Sequence, residues 1–367
     1  MRSARCVLVA LLSIGLPACG GKILQDSIGG GPGAADASLD GAPNPYAAKC
    51  AGGPTPPTTL ECTGLYTDIG KKTISPGIRP YSPAIPLWSD GAEKYRYIWL
   101  PPGTKIDATD PNNWKFPVGT KVWKEFDREG SRIETRLWQK TQTNFWVRAT
   151  YRWSEDESSA MISAGGDFPL ADGATYHIPT GDECDQCHRG RPDHLLGFEH
   201  VSLGLPQATG LTLPELVSEN LISPVPAQTR LIIGDDGTGV AAPALAWIHV
   251  NCGVSCHNDN ANSTGYGASQ RLRLDPTMLD GRSSANFPTI TTTVNQMADT
   301  PTWAGQTRIV PGDPTNSLLV KLITNRGTDN PVSNQMPPIA SLLVDEPDTK
   351  AVIAWIAAMT PNKSSGP

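Results

Sequence analysis

Two short stretches, Cys184-Asp185-Gln186-Cys187-His188 and Cys252-Gly253-Val254-Ser255-Cys256-His257, each bring two thiols and an imidazole together within a turn or so of chain. Two thiols so placed can form thioethers with the two vinyl groups of a porphyrin, and an imidazole directly after the second thiol can reach the iron from the proximal side. The first stretch has the spacing of a c-type haem attachment site. A thioredoxin-like pair would need a strand-to-helix context in a different fold, and a zinc site would need two further soft ligands. The second stretch has one residue too many. That residue lengthens only the span between the thiols and leaves Cys256 next to His257, so proximal ligation survives if the extra residue bulges outward, with Gly253 able to take unusual backbone angles. The alternative is a Cys252 to Cys256 disulfide, which closes a small ring with little entropic return.

Downstream, Gln335-Met336-Pro337-Pro338 places a thioether in a polar, proline-rich loop, a poor setting for a core methionine and a good one for a sixth iron ligand. His/Met ligation raises the reduction potential relative to two histidines and suits electron transfer. For the first stretch no such partner is readable. His177, His194 and His200 are near in sequence, and Met161, Met278 and Met297 are farther off; each reads more readily as an ordinary surface or core residue. An open sixth position there would instead suggest ligand binding or peroxidase-like chemistry.

The compartment follows from the N-terminus. Arg2 and Arg5 precede an apolar run from Cys6 to Leu16 that is too short to span a bilayer, as in an export signal. Leu16-Pro17-Ala18-Cys19 resembles the lipobox of bacterial lipoproteins, so residues 1–18 read as a signal peptide and Cys19 as the lipidated first mature residue. An ordinary secretory signal cut near Ala18 is the alternative. Either way the mature chain works outside the cytoplasm, lipid-anchored in the cell envelope, facing the periplasm or in the outer membrane, on the first reading. Beyond Cys6 and Cys19, six cysteines remain as three local pairs. Cys50 and Cys62 have no adjacent histidine and read as a disulfide in an oxidising compartment. A net charge of -6 over 367 residues, without a basic stripe, excludes nucleic acid and an electrostatically held membrane surface. The expected partners are a redox protein of the envelope and, through lipid on Cys19, the membrane.

The elements that must position these groups divide the chain. Residues 19–48, rich in Gly, Ala, Asp and Pro, read as a flexible tether, and its GGGPG lacks the ending that a phosphate-cradling loop needs. Residues 49–175 read as a Trp-rich β domain, with strand runs EKYRYIWL, GTKVWKEFD, RIETRLWQK and NFWVRATYRW between Pro, Gly and Asp turns. In the last run Phe145, Val147, Ala149, Tyr151 and Trp153 alternate with Trp146, Arg148, Thr150 and Arg152, predicting one buried and one wetter face. Seven of the ten Trp lie between Trp88 and Trp153, and filling a sandwich core is the plainer reading of them than a ligand platform. Residues 176–235 hold the first attachment region. From 236 to 367 helix signals dominate: Ala241 to Val250 running into Cys252, a helix opened by Asp313-Pro314 through SLLVKLI, and a last helix from Thr349 to Met359. Gly234 to Gly239 reads as a solvated turn, since the glutamate that closes an EF-hand loop is absent. Asp182, Glu183, Arg189 and Arg191 read as a solvated rim.

On the two Cys-Cys-His stretches, together with Pro86-Leu87-Trp88-Ser89-Asp90-Gly91, Trp114-Lys115-Phe116-Pro117-Val118-Gly119-Thr120, IVPGDPTNSLLVKL, QMPP and the final AVIAWIAAM, the chain resembles bacterial dihaem c-type cytochrome-like lipoproteins. Its second half is similar to the small class I cytochrome c domain. The resemblance spans roughly residues 80 to 360 and departs from the pattern at the extra residue of the second site. It implies an α+β multidomain fold, an antiparallel β-sandwich-like domain followed by one or more mainly α haem domains. It also implies two haem c groups, with Cys184, Cys187, Cys252 and Cys256 as thioether donors, His188 and His257 as proximal ligands and Met336 as a distal ligand. The expected function is single-electron relay, without catalytic residues. Two alternatives stay open: an oxidoreductase with one open iron site, and a haem-free binding lipoprotein whose cysteine pairs are all disulfides.

Overall fold

Alternating aromatic, β-branched and charged residues between Gly and Asp turns build one seven-stranded antiparallel sheet, its strands lying in the order 209–210, 79–82, 93–99, 121–128, 131–142, 145–153 and 160–163. The computed structural model describes residues 45–170, 173, 175–326, 335–339 and 341–361. The signal segment, Cys19 and the tether up to residue 44 lie outside the described residues.

The sheet strands are β3 (Arg79–Ser82), β4 (Glu93–Trp99), β6 (Lys121–Arg128), β7 (Ser131–Gln142), β8 (Phe145–Trp153), β9 (Ala160–Ser163) and β12 (Thr209–Gly210). Three small two-stranded ribbons flank it: β1 (Tyr66–Asp68) with β2 (Thr73–Ile74), β10 (Gly166–Pro169) with β11 (Thr175–Ile178), and β5 (Ile106–Asp107) with β13 (Ile222–Ser223). The tight β6–β7 connection places Glu129 and Gly130 at φ of 56° and 83°, the two left-handed residues that match the twist of a hairpin. The helices are α1 (Ala47–Cys50), α2 (Gly181–His188), α3 (His200–Gly204), α4 (Leu213–Ser218), α5 (Ala241–Ile248), α6 (Pro288–Thr291), α7 (Leu318–Thr324) and α8 (Glu346–Ala358).

The chain is thus mixed α+β, but the expected sandwich is not formed by two large sheets. Both faces of the large sheet are covered by short helices, turns and loops rather than by a second large sheet. On one face Trp99, Trp123, Leu137, Tyr151 and Trp153 meet Leu60, Leu65 and Tyr66 from the preceding loops. On the other, Ile98, Val122, Trp138 and Trp146 meet Leu195, Phe198, Leu203 and Leu216, so residues after α2 fold back onto the sheet. The period-2 alternation therefore serves two cores, which corrects the expectation of one wet face: Trp146 is buried and Phe145, at the strand end, is exposed. Of the seven clustered tryptophans, Trp99, Trp114, Trp123, Trp138, Trp146 and Trp153 are buried. Full burial of one such ring is worth roughly 2–3 kcal/mol.

The second half also departs from expectation. It is not mainly α. Among the described residues after 236, four α-helices are joined by 3-10 turns and long irregular loops, as its density of Pro, Gly, Asn and Thr favours. Asp313-Pro314 opens a turn rather than a helix: Asn316 N donates to Asp313 Oδ1 and Ser317 N to the Pro314 carbonyl, and α7 begins only at Leu318. The core here is α5 against α7 and α8, with Leu245, Trp247 and Ile248 meeting Ile323, Val352, Trp355 and Ile356. At 234–239 the turn expected from the sequence has its carboxylates engaged, Asp235 by Gly237 and Gly239 amides and Asp236 by Thr238 and the Trp355 indole.

Candidate functional site

The first Cys-Cys-His stretch is helix α2. Thr180 and Glu183 form a capping box, with the Thr180 amide donating to Glu183 Oε2 at 2.8 Å and the Glu183 amide to Thr180 Oγ1 at 3.4 Å. Glu183 is therefore a helix cap rather than a rim charge. At the other end His188 stacks on Trp138, with ring centroids 4.1 Å apart and an interplanar angle of 17°. Its Nδ1 lies 2.5 Å from the His194 carbonyl, which can only accept, so the proton sits on Nδ1 and Nε2 is left with a free lone pair. Burial, reinforced by the nearby Lys124 ammonium, pushes its pKa well below the usual histidine value. A neutral imidazole with one nitrogen held by a carbonyl and the other free is the form that binds a metal.

The second stretch winds differently. Helix α5 continues through His249–Gly253 as a π-helical turn. The Val254 amide donates to the His249 carbonyl at 2.8 Å and the His257 amide to the Cys252 carbonyl at 2.9 Å, both i to i+5 bonds. In α2 the first cysteine and the histidine are four residues apart and suit an α turn; here they are five apart and suit the wider one. The extra residue is absorbed by the winding. Gly253 is not needed for unusual backbone angles, since it is helical; it is needed for contact, because a Cβ there would come 2.4 Å from the Leu272 carbonyl oxygen. His257 is buried, and desolvation pushes its pKa down to about 4, outweighing a backbone hydrogen bond that favours the proton.

A cavity of about 410 Å³ opens beside this turn, and Cys252, Cys256, His257 and Met336 all line it, with Leu272, Trp303 and Leu322 among its walls. The Met336 amide donates to the Leu322 carbonyl at 2.9 Å and Gln335 Nε2 to the Ser341 carbonyl at 2.9 Å, which anchors the thioether's loop over the cavity. A second, narrower cavity of about 120 Å³ lies between α2 and the sheet. Cys184, Cys187 and His188 line one side; Lys94, Arg96, Lys124 and Arg136 line the other. Burial, then the neighbouring Arg96 and Arg136, push the Lys124 ammonium down to about 7.

The two stretches are packed on one another. A Cβ on Gly190 would fall 1.7 Å from the Ser255 carbonyl oxygen, so only glycine allows this approach. Asn258 Nδ2 donates to the Gly190 carbonyl at 3.3 Å, Asn260 Nδ2 to that of Arg189 at 3.2 Å, and Thr264 Oγ1 to that of Gln186 at 2.8 Å. The neighbouring Cys256 sulfur, then burial, push the Cys187 thiol up, while Cys187 beside it pulls Cys256 down. Burial pushes Cys252 up to about 12. Cys256, Asn251, Thr264, Pro337 and Pro338 line both cavities, so the two spaces are neighbours.

Cys50 and Cys62 form a disulfide, whereas Cys184, Cys187, Cys252 and Cys256 carry free thiols. Of the six sixth-ligand candidates for His188, only His177 lines the narrower cavity beside α2. Its Nδ1 is 2.6 Å from Asp167 and its Nε2 3.0 Å from Glu183, so neither nitrogen is free. His194 contributes its carbonyl, His200 is buried against Trp114, Met278 packs on the α5 core, and Met161 and Met297 are exposed. Of the expected rim, Asp182 and Arg189 are exposed but Arg191 is buried. Sequence reading missed Trp138 as the stacking partner of His188 and the cationic wall. The only signal was the charge set among apolar residues in KYRYI, at period 2, and in KVWKEF. Among the described residues no group of three or more His, Cys, Asp or Glu is gathered as for a bare metal ion, and no helix is long and apolar enough to cross a membrane. No family model, curated protein or solved structure matches the chain.

Proposed function

We propose that this protein is a dihaem c-type cytochrome that relays single electrons in the cell envelope, held there by lipid on Cys19 and exchanging electrons with a redox protein. One haem would be bound through Cys184, Cys187 and His188, the other through Cys252, Cys256, His257 and Met336. The observation that supports this most is the cavity of about 410 Å³ onto which two thiols, an imidazole and a thioether from separate elements converge. The donor chemistry fits: Cys252, Cys256, His257 and Met336 are the thioether and axial donors of a His/Met haem c. Such a group, when bound, supplies a one-electron iron couple.

The chain's own residues account for the rest. Desolvation holds both imidazoles neutral and able to ligate, and the His194 carbonyl fixes the tautomer of His188. The anchored Gln335-Met336 loop keeps Met336 among the residues that line the cavity. Direct packing of Gly190 on Ser255 keeps the two sites close enough for electrons to pass between them. The four free thiols, beside a disulfide that is formed, favour this reading over one in which every pair is a disulfide. On this reading residues 236–361 are a pared-down c-type domain in which α5 and α8 bracket the attachment turn.

One observation favours a second reading, an enzyme with an open iron site at His188: His177 is the only sixth-ligand candidate in that cavity and both its nitrogens are taken. A reductive titration followed by electron paramagnetic resonance separates the two. The carrier reading expects two one-electron steps and low-spin signals only. A high-spin ferric signal with peroxide reactivity favours the enzyme, and a protein with no redox-active chromophore overturns both.

A further inference from the structure

Three cations stand in one row across the sheet. Arg96 is directly paired with Lys124 across β4 and β6, and Lys124 with Arg136 across β6 and β7. Directly opposed like charges destabilise an antiparallel pair, yet this row faces the narrower cavity beside α2, with Lys94 two residues along the same face of β4. The chain neutralises only one end of it. Arg136 is paired with Glu134. Arg96 is 6% exposed, and its guanidinium donates to the Lys94 carbonyl at 3.2 Å. Lys94 donates to the Leu87 carbonyl and the Ser89 hydroxyl, and Lys124 to the Leu196 carbonyl at 2.8 Å. Among the described residues none of these three has an ion-pair partner. The two carboxylates that line the cavity are bonded elsewhere, Asp90 to the Leu342 and Leu343 amides and Glu183 to Thr180 and His177. Enclosed cations without counter-charge are costly, so the lining calls for an anion.

We infer that the Arg96-Lys124-Arg136 row, with Lys94, is a carboxylate-binding site filled by the propionates of the haem attached at Cys184 and Cys187. The inference rests on the proposed haem reading. Its chemistry is simple: the thiols take the vinyl groups, and the propionates leave the porphyrin from other positions and carry its only negative side chains. The same cavity presents thiols on the α2 wall and cations on the sheet wall. Positive charge beside the group disfavours the ferric state, so the row raises the reduction potential of the first haem and leaves the second, across the Gly190-Ser255 contact, little affected.

The test uses the full chain made in a host with haem-attachment machinery, as wild type and as Arg96→Leu, Lys124→Met and the charge-keeping Lys124→Arg. Denatured mass counts haems, and spectroelectrochemistry reads the potentials. Two haems per chain, a lowered potential for one haem alone in Arg96→Leu and Lys124→Met, and a potential close to wild type in Lys124→Arg are expected. Lys124 is partly open to the cavity, so Lys124→Met decides the matter if Arg96→Leu does not fold. Two haems with both potentials unchanged in Lys124→Met overturn the propionate site while sparing the haem reading. A wild-type mass without haem at Cys184 and Cys187 fails the haem reading itself, and binding of free succinate by that protein, seen by calorimetry, overturns the propionate assignment in favour of a soluble dicarboxylate.

Discussion

The two Cys-Cys-His segments use the same residue types in opposite surroundings. The first is an α turn with a capping box, docked on a sheet whose facing wall is cationic and whose Trp138 stacks on the histidine. The second is a π turn at the end of a buried helix, facing a largely apolar cavity closed by Met336. What they share is the relation of the first thiol to the histidine, one helical turn in each, which is the quantity the chemistry needs. The number of residues per turn is free to differ. On the proposed haem reading, the comparison also separates two ways of tuning a redox group: fixed charge at the first site, ligand sulfur at the second.

Four perturbations break or sharpen this contrast. The largest effect is expected from Trp138→Ala, which removes a buried ring from the sheet core and the stacking partner of His188. It should cost about 4 kcal/mol in urea unfolding, with the second site's spectrum kept. A loss under about 1 kcal/mol would show that the sheet does not hold the first site. Next is Gly190→Ala, which acts on the contact between the sites rather than on either one. A methyl 1.7 Å from the Ser255 carbonyl oxygen must push the segments apart, at about 3 kcal/mol in the same assay. Unchanged stability there would mean that the close packing is not present in solution.

Met336→Ala is milder for the fold, at about 1 kcal/mol, because Met336 is only partly buried. Its main effect should fall on the second site, as loss of the far-red iron-sulfur charge-transfer band and a lower potential for one haem only. An intact band would remove Met336 as the ligand. The smallest effect concerns His177. Burial alone would lower its pKa, but the hydrogen bonds to Asp167 and Glu183 outweigh it and raise the value above the ordinary 6.5. A raised native pKa means that the folded chain binds the proton more tightly than the unfolded one. This contribution to stability is fully present below pH 6.5 and fades as pH rises through the raised value. His177→Asn should flatten the stability profile above pH 6.5 and lose a few tenths of a kcal/mol below it. A wild-type profile already flat there would contradict the assignment.

Much of this was legible in the sequence, and the gaps have physical reasons. The two Cys-Cys-His stretches and the long strands β4, β6, β7 and β8 are local patterns, and local patterns can be read from neighbouring residues. The single sheet could not be told from a sandwich, because Val122 and Trp123 are both apolar and alternation does not say what covers each face. The π turn was hidden for a related reason: the extra residue is visible, but whether it bulges or widens the helix depends on Leu272 pressing against Gly253. The cationic row was least legible. Arg96, Lys124 and Arg136 lie on three strands and become neighbours only through register. Gly190 carried no signal in the sequence, because what demands a glycine there is Ser255, distant in the chain and packed against it.

The central claim is that both segments, including the stretched one, hold covalent haem. The direct measurement is the denatured mass of the full chain after iodoacetamide treatment, with a pyridine haemochrome spectrum, from a host that attaches haem. Two haem masses on each chain and no alkylated thiol are the expected result. No haem mass, with all four of Cys184, Cys187, Cys252 and Cys256 alkylated, would contradict the account.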